Sequence, residues 1–311
     1  MTMTSIQSAQ WLKWVRRMPR YKTRLGYVLF AAVVCIMFLY VCFPSGAVCD
    51  YLEGSASKFN PPLALTLHTV RPTFPFGLKF EDAALGLKEK PGIFLFKADS
   101  FVLMPSVRML ALKGPAFRFA CTAYGGKVRG AIAFKTFSFK GPFQSGIEMT
   151  DVRLAQYPYL RDWLKRELTG TMSGSVIYAG SPGGFPQGSG EADVSILDGI
   201  VRFAQPFLGV ESVSFQRIDA EMVLEEEKIS LARFEFKGQD VEGEASGTVH
   251  LSPHFSRSAL DLRVALRTSS ALLEGEGGLV SAATFLGQAL RDGNLTISIR
   301  GTVAQPRISF I

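Results

Sequence analysis

The chain is predicted to be mainly β, an elongated, curved antiparallel sheet forming a groove or a sandwich, with one or two short helices and a single transmembrane helix ahead of it. Three observations predict this. The first 24 residues hold six basic side chains and no acidic one, and the next nineteen, Leu25 to Phe43, carry no charge. From Leu63 onward the dominant hydrophobic period is two, the period of a strand with one face inward. Glycines recur ahead of alternating apolar residues through the same region.

The basic residues are Lys13, Arg16, Arg17, Arg20, Lys22 and Arg24. The run LGYVLFAAVVCIMFLYVCF that follows would extend roughly 28 Å at the ~1.5 Å rise of an α-helix, about the thickness of a hydrocarbon core. At that depth its backbone groups can pair only within the helix, and Tyr27 and Tyr40 lie near its two ends, where amphipathic rings suit the interface. The excess of Lys and Arg places residues 1–24 in the cytoplasm, 25–43 in the membrane and the rest of the chain across it. A cleaved secretory signal begins in the same way, and Ser45-Gly46-Ala47 is a weak cleavage tripeptide. The apolar region of a signal is usually about 7 to 15 residues, so length favours a retained single-pass anchor.

Of the formal charge of +7, six units come from the first 24 residues. The remainder is nearly neutral, which argues against a nucleic-acid-binding surface; the basic cluster suits anionic headgroups. Cys35 and Cys42 fall inside the membrane run. Cys49 and Cys121 fall beyond it, where an oxidising compartment would permit a bridge, although spacing alone does not show that they meet.

Residues 44–62, rich in Pro, Gly, Ser and Ala, read as a connector with a short helix at Val48 to Lys58. Residues 63–311 form the β-rich region. Leu63, Leu65 and Leu67 alternate with polar or small residues, as do Phe234 and Phe236, Leu262, Val264 and Leu266, and Leu295, Ile297 and Ile299. Glycine pairs in GGKVRGAIAF (125–134), GTMSGSVIYAG (170–180), GSGEADVSILDG (188–199) and GEASGTVHL (243–251) are expected to mark bends, bulges or tight turns. Two stretches depart from the strand period. Tyr157 to Leu168 is expected to form an amphipathic helix lying on the sheet, and Ser269 to Leu290 two helical pieces or one frayed helix.

A search for chemistry is negative. His250 and His254 are four apart, but Pro253 and the preceding strand pattern remove the helix that would aim both at one metal. Gly275 to Gly278 lacks the lysine and the strand context of a phosphate loop, and GTMSGS offers serines without nucleophile-elbow spacing. Cys121 has no neighbouring His, and Glu225-Glu226-Glu227-Lys228 reads as a solvated turn. No catalytic residue, metal ligand, cofactor or small-molecule substrate is predicted, and the chain is not expected to be an enzyme. The 25 Phe residues, many closely spaced, give the sheet a thick apolar face. In a closed sandwich that face is core; in an open, curved sheet it is a groove for acyl chains or an extended apolar partner. The usual burial of Phe favours core.

The order of landmarks carries a resemblance. YPYL (157–160), the segment Gly170 to Gly174, GSGEADVSILDG, EGEASGTVHL, SALDLRVAL (258–266) and the closing LTISIRGTVAQPRISF (295–310) follow one membrane span. This is similar to the type II secretion system protein N family, in the form whose exported part resembles AsmA-like proteins. The resemblance covers nearly the whole length, through turn glycines and alternating apolar positions. It implies an inner-membrane protein of a diderm bacterium with a periplasmic β region, an accessory scaffold or interaction subunit meeting other envelope or secretion-system proteins. AsmA-like relatives are associated with lipid movement through a curved β groove, which implies lipid binding or transfer as the alternative. No functional residue carries over, because the matched positions are structural.

Overall fold

The computed structural model describes residues 20–59, 62–74, 76–88, 90–106, 114–157, 160, 167–207, 210–238, 241–253, 255–268 and 294–310. Helix α1 (Arg20–Val41) opens the described chain. Its Arg24–Val41 window has a mean hydropathy of 2.2 and is nowhere buried against the rest of the protein, so its length and composition suit a membrane span. The helix stops two residues short of the predicted end, just ahead of Pro44, and Phe43 turns inward.

Helix α2 (Ser45–Phe59) exceeds the predicted Val48 to Lys58 at both ends and is no slack connector. It lies on the first strand, β1 (Leu63–Thr73). Its Cys49 is buried with Leu67, Val70 and Phe80, and Phe43, Val48 and Leu52 pack around them. Two of its side chains accept hydrogen bonds from backbone amides of β1: Leu67 N–H donates to Glu53 Oε1 at 2.7 Å and Val70 N–H to Ser45 Oγ at 3.2 Å. An uncovered edge strand is a template for unwanted pairing, and α2 blunts this one. Glu53→Ala is expected to cost about 2 kcal/mol, the scale of a hydrogen bond to a charged group. Chemical denaturation would measure it, with faster hydrogen exchange at the Leu67 amide.

The remaining strands are β2 (Gly77–Leu87), β3 (Lys90–Pro105), β4 (Ala116–Ala123), β5 (Gly126–Phe134), β6 (Phe143–Arg153), β7 (Glu167–Leu168) and β8 (Thr171–Gly180). They continue as β9 (Ser189–Phe207), β10 (Val210–Glu225), β11 (Lys228–Gly238), β12 (Val241–His250), β13 (Ala259–Thr268), β14 (Asn294–Thr302) and β15 (Pro306–Phe310). All belong to one antiparallel sheet in which each strand neighbours the next in sequence, except that β6 pairs with β8 and β7 sits beside β9. β1 and β15 are the two edges, so the sheet is open and does not close into a barrel. At ~4.8 Å per strand it runs about 60 Å from edge to edge. The strands predicted around Leu63, Phe234, Leu262 and Leu295 are β1, β11, β13 and β14.

Three expectations need correction or placement. Glu167 and Leu168, read as the end of an amphipathic helix, form β7 and pair with Arg202 and Val201. β9 overruns β8, whose pairing ends at Leu197, and its free backbone takes up these two residues; Arg202 also meets the Glu167 carboxylate at 3.2 Å. Residues 158–159 and 161–166 of that segment, and Ser269 to Leu290, lie outside the described residues. All four cysteines are free, with Cys49 under α2 and Cys121 on β4 in separate buried clusters. The acidic turn is where expected: Glu226 and Glu227 join β10 to β11 with φ of 46° and 66°.

Candidate functional site: an uncovered apolar face

Side chains alternate across a strand, so the register decides which residues share a face. One row runs Val70, Phe80, Phe101, Cys121, Val128, Met149, Gly174, Val194, Ala220 and Phe234 from β1 to β11, each opposite the next. It resumes as Ala245, Val264, Ile297 and Phe310 from β12 to β15. A parallel row, Leu78, Leu103, Phe119, Gly130, Ile147, Val176, Ala192 and Met222, flanks it. No charged side chain interrupts either. Each strand therefore contributes to one continuous apolar floor.

The opposite face is polar. Arg129, Glu148, Ser175, Asp193, Glu221 and Arg233 form the corresponding row there. Arg233 lies 2.8 Å from Glu235 and 3.5 Å from Glu221, and Arg217 lies 2.6 Å from Asp219. The hydrogen bond from Arg233 holds the Glu235 carboxyl below its ordinary range, and that from Arg217 does the same for Asp219. Exposed pairs of this kind add little stability. Their weight lies in assigning this face to water.

What distinguishes the floor, among the described residues, is how little lies over its middle. Full burial on this side is found at the α2 end, in Leu67, Val70, Phe80, Ala98 and Cys121, and again on β14, in Leu295 and Ile297. Further along, Ile147, Met149, Val176, Val194, Ala220, Phe234 and Val264 are only half-buried. Among the described residues, neither a second sheet nor a helix lies over them; α2 packs at the other end of the floor, on β1 and its neighbours. The Phe content favours a packed core, and among the described residues the middle of the floor is only half-buried. The described strands form a single layer, with no second described layer against that side.

The glycines shape this floor. Gly125 sits in the β4–β5 turn and Gly174 and Gly247 flank register shifts, as expected of turn and bulge glycines, while Gly130 and Gly190 lie in regularly paired strands. A side chain at Gly130 would enter the ring of Phe119, one at Gly199 the ring of Phe215, and one at Gly243 would meet Leu266 Cδ2 at 2.6 Å. Large side chains thus lie down over neighbouring glycines. Along one margin the rings form a chain: Phe117 with Phe139 (6.2 Å), Phe139 with Phe134 (5.2 Å), Phe134 with Phe143 (5.9 Å) and Phe143 with Tyr178 (5.7 Å). Phe101 bridges Phe80 and Phe119, both at 5.8 Å. Tyr178, whose hydroxyl donates to the Phe185 carbonyl at 3.0 Å, had no signal in the sequence beyond its place in an alternating strand.

Among the described residues no constellation for catalysis accompanies the floor. His250 lies at the end of β12 on the polar face, beside a cleft of about 950 Å³ lined by Gln187, Glu225, Lys228 and Ser230, and His254 lies outside the described residues. Among the described residues no group of His, Cys, Asp and Glu could hold a metal. Burial pushes the Cys121 thiol above its ordinary range, the opposite of an activated nucleophile. The segment Gly275 to Gly278 lies outside the described residues.

No family model, curated protein or solved structure matches the chain. The arrangement on the page is therefore the basis for a function: a charge-free floor on one side of an open sheet, beside a helix able to cross a membrane.

Proposed function

We propose that the chain is a membrane-anchored lipid-binding protein, in which acyl chains lie on the apolar floor of the sheet and headgroups stay in water at its margins. The observation that carries this is the unbroken apolar row from β1 to β11, over whose middle no described element lies. The right-handed twist of strands coils such a sheet into a trough. Each methylene transferred from water contributes about 0.8 kcal/mol, so about ten of them half-covered by the floor contribute several kcal/mol. The glycine-and-ring surface follows the slim, uniform section of an alkyl chain. A single extended peptide laid on the floor would need backbone hydrogen bonds that a sheet face does not offer.

In this reading α1 holds the protein in the inner membrane of a diderm bacterium, residues 1–24 in the cytoplasm and the sheet in the periplasm, as the basic N-terminal segment directs. The resemblance to the type II secretion system protein N family supports a second role, as an accessory subunit of that machine meeting envelope proteins. The feature that favours it is the β15 edge, whose residues Pro306 to Phe310 are all exposed and, among the described residues, pair only with β14.

Mass spectrometry of the full chain extracted in a mild detergent tests the lipid reading, alongside crosslinking in cells. Phospholipid is expected at one or more molecules per chain. A chain recovered without lipid but crosslinked to secretion components would overturn the lipid reading and leave the scaffold.

A further inference from the structure

The two ends of the strands are unlike. α1 ends four residues before Ser45, and Ser45 accepts a hydrogen bond from the amide of Val70 near the end of β1, so the membrane helix arrives where β1 hands over to β2. Because the sheet is a meander, the turns at residues 74–76, 135–142 and 181–188 all lie at this same end of the strands.

These turns carry the exposed rings. Phe74 is 80% exposed, Phe76 74% and Phe137 80%, and Phe139 and Phe185 are exposed by more than half. Among the described residues the turns at the opposite end, such as Lys88 and Tyr124-Gly125, offer no exposed Phe; Tyr124 there is half-buried against Tyr157. Burial does not account for Phe at such exposure, and patches of this kind mark surfaces that meet something apolar. The three turns hold no acidic residue, and Lys135 and Lys140 flank the Phe137 and Phe139 pair. Apolar rings with basic neighbours match the interface of an anionic bilayer, into which rings dip while lysines reach headgroups. The acidic turn at Glu226 and Glu227 comes next along this margin and sets the limit of the suitable surface.

We propose that this margin, through Phe74, Phe76, Phe137, Phe139 and Phe185, seats on the surface of the bilayer that α1 enters, with anionic phospholipid as its partner. The trough then opens against the membrane along several strands rather than touching it only at the anchor. The proposal rests on the anchored reading of α1.

The test uses the full chain with Cys35→Ser and Cys42→Ser, reconstituted into vesicles of phosphatidylcholine and phosphatidylglycerol. An environment-sensitive dye is placed in turn at Phe74→Cys, Phe137→Cys, Lys88→Cys and Leu29→Cys, and quenched by lipids brominated at defined depths. At positions 74 and 137, shallow brominated lipids are expected to quench at least twofold more than at position 88. Equal quenching at 137 and 88, or quenching at 74 alone, overturns the seating and means that the sheet stands away from the bilayer on its first hairpin. Strong quenching at position 29 by deep brominated lipids keeps the anchor intact in either case. Its absence would overturn the anchor, and with it the proposal.

Discussion

Val194→Asp and Ile147→Asp are each expected to lower bound lipid at least tenfold while leaving the protein folded. Both side chains sit on the floor, Val194 between Gly174 and Ala220 and Ile147 between Gly130 and Val176, and both are half-buried. A carboxylate there keeps much of its hydration until an acyl chain arrives. Loading the trough would then strip that water without supplying a hydrogen bond, a cost of several kcal/mol, and each 1.4 kcal/mol is tenfold in affinity. Thr150→Asp is the control, because it faces water opposite Lys127 and should leave lipid unchanged. Lipid per chain, by mass spectrometry after identical extraction, gives the comparison. If the floor variants retain full lipid, the molecules are bound elsewhere.

Phe101→Ala is expected to destabilise the protein by about 3 kcal/mol, the lower end of the range for buried Phe to Ala. Its ring touches Phe80 and Phe119 and is shared by the two buried clusters, one under α2 and one around Ala98 and Cys121. Removing it opens a cavity where the structure is most densely packed and uncouples α2 from the sheet behind it. Phe137→Ala, at a fully projecting ring, should change stability by less than about 0.5 kcal/mol. Denaturation midpoints of the two variants measure the contrast. A small effect at Phe101 would mean that the α2 end is held by its backbone hydrogen bonds alone.

Much of this fold was legible because period two survives wherever one side of a strand meets water. β1, β11, β13 and β14 could be placed from their leucines, phenylalanines and isoleucines alone, and the Glu226-Glu227 turn from its charge. How far the described strands are covered was not legible. Alternation reports that a strand has an apolar side, but the same string serves a filled sandwich and a bare trough, and only the strand neighbours tell them apart. The glycines were legible in part: Gly174 and Gly247 flank register shifts, as bulge glycines do, whereas Gly130 is explained only by the Phe119 ring pressed on it. The docking of α2 depends on Ser45 and Glu53, two polar residues in a stretch whose composition reads as linker. β7 forms because β9 happens to outlast β8, a length difference that no local pattern of Glu167 and Leu168 records.

The order of the strands also bears on how the molecule is made. Nearly every pairing joins segments adjacent in the chain, the kind of local topology that shortens the search for the native state. α2 and β1 come first and provide a ready-finished starter plate. As a polypeptide emerges amino end first, each new hairpin can zip onto the growing border without waiting for distant partners. Assembly would then keep pace with delivery, and the only ragged border at any moment is the one about to receive the next strand.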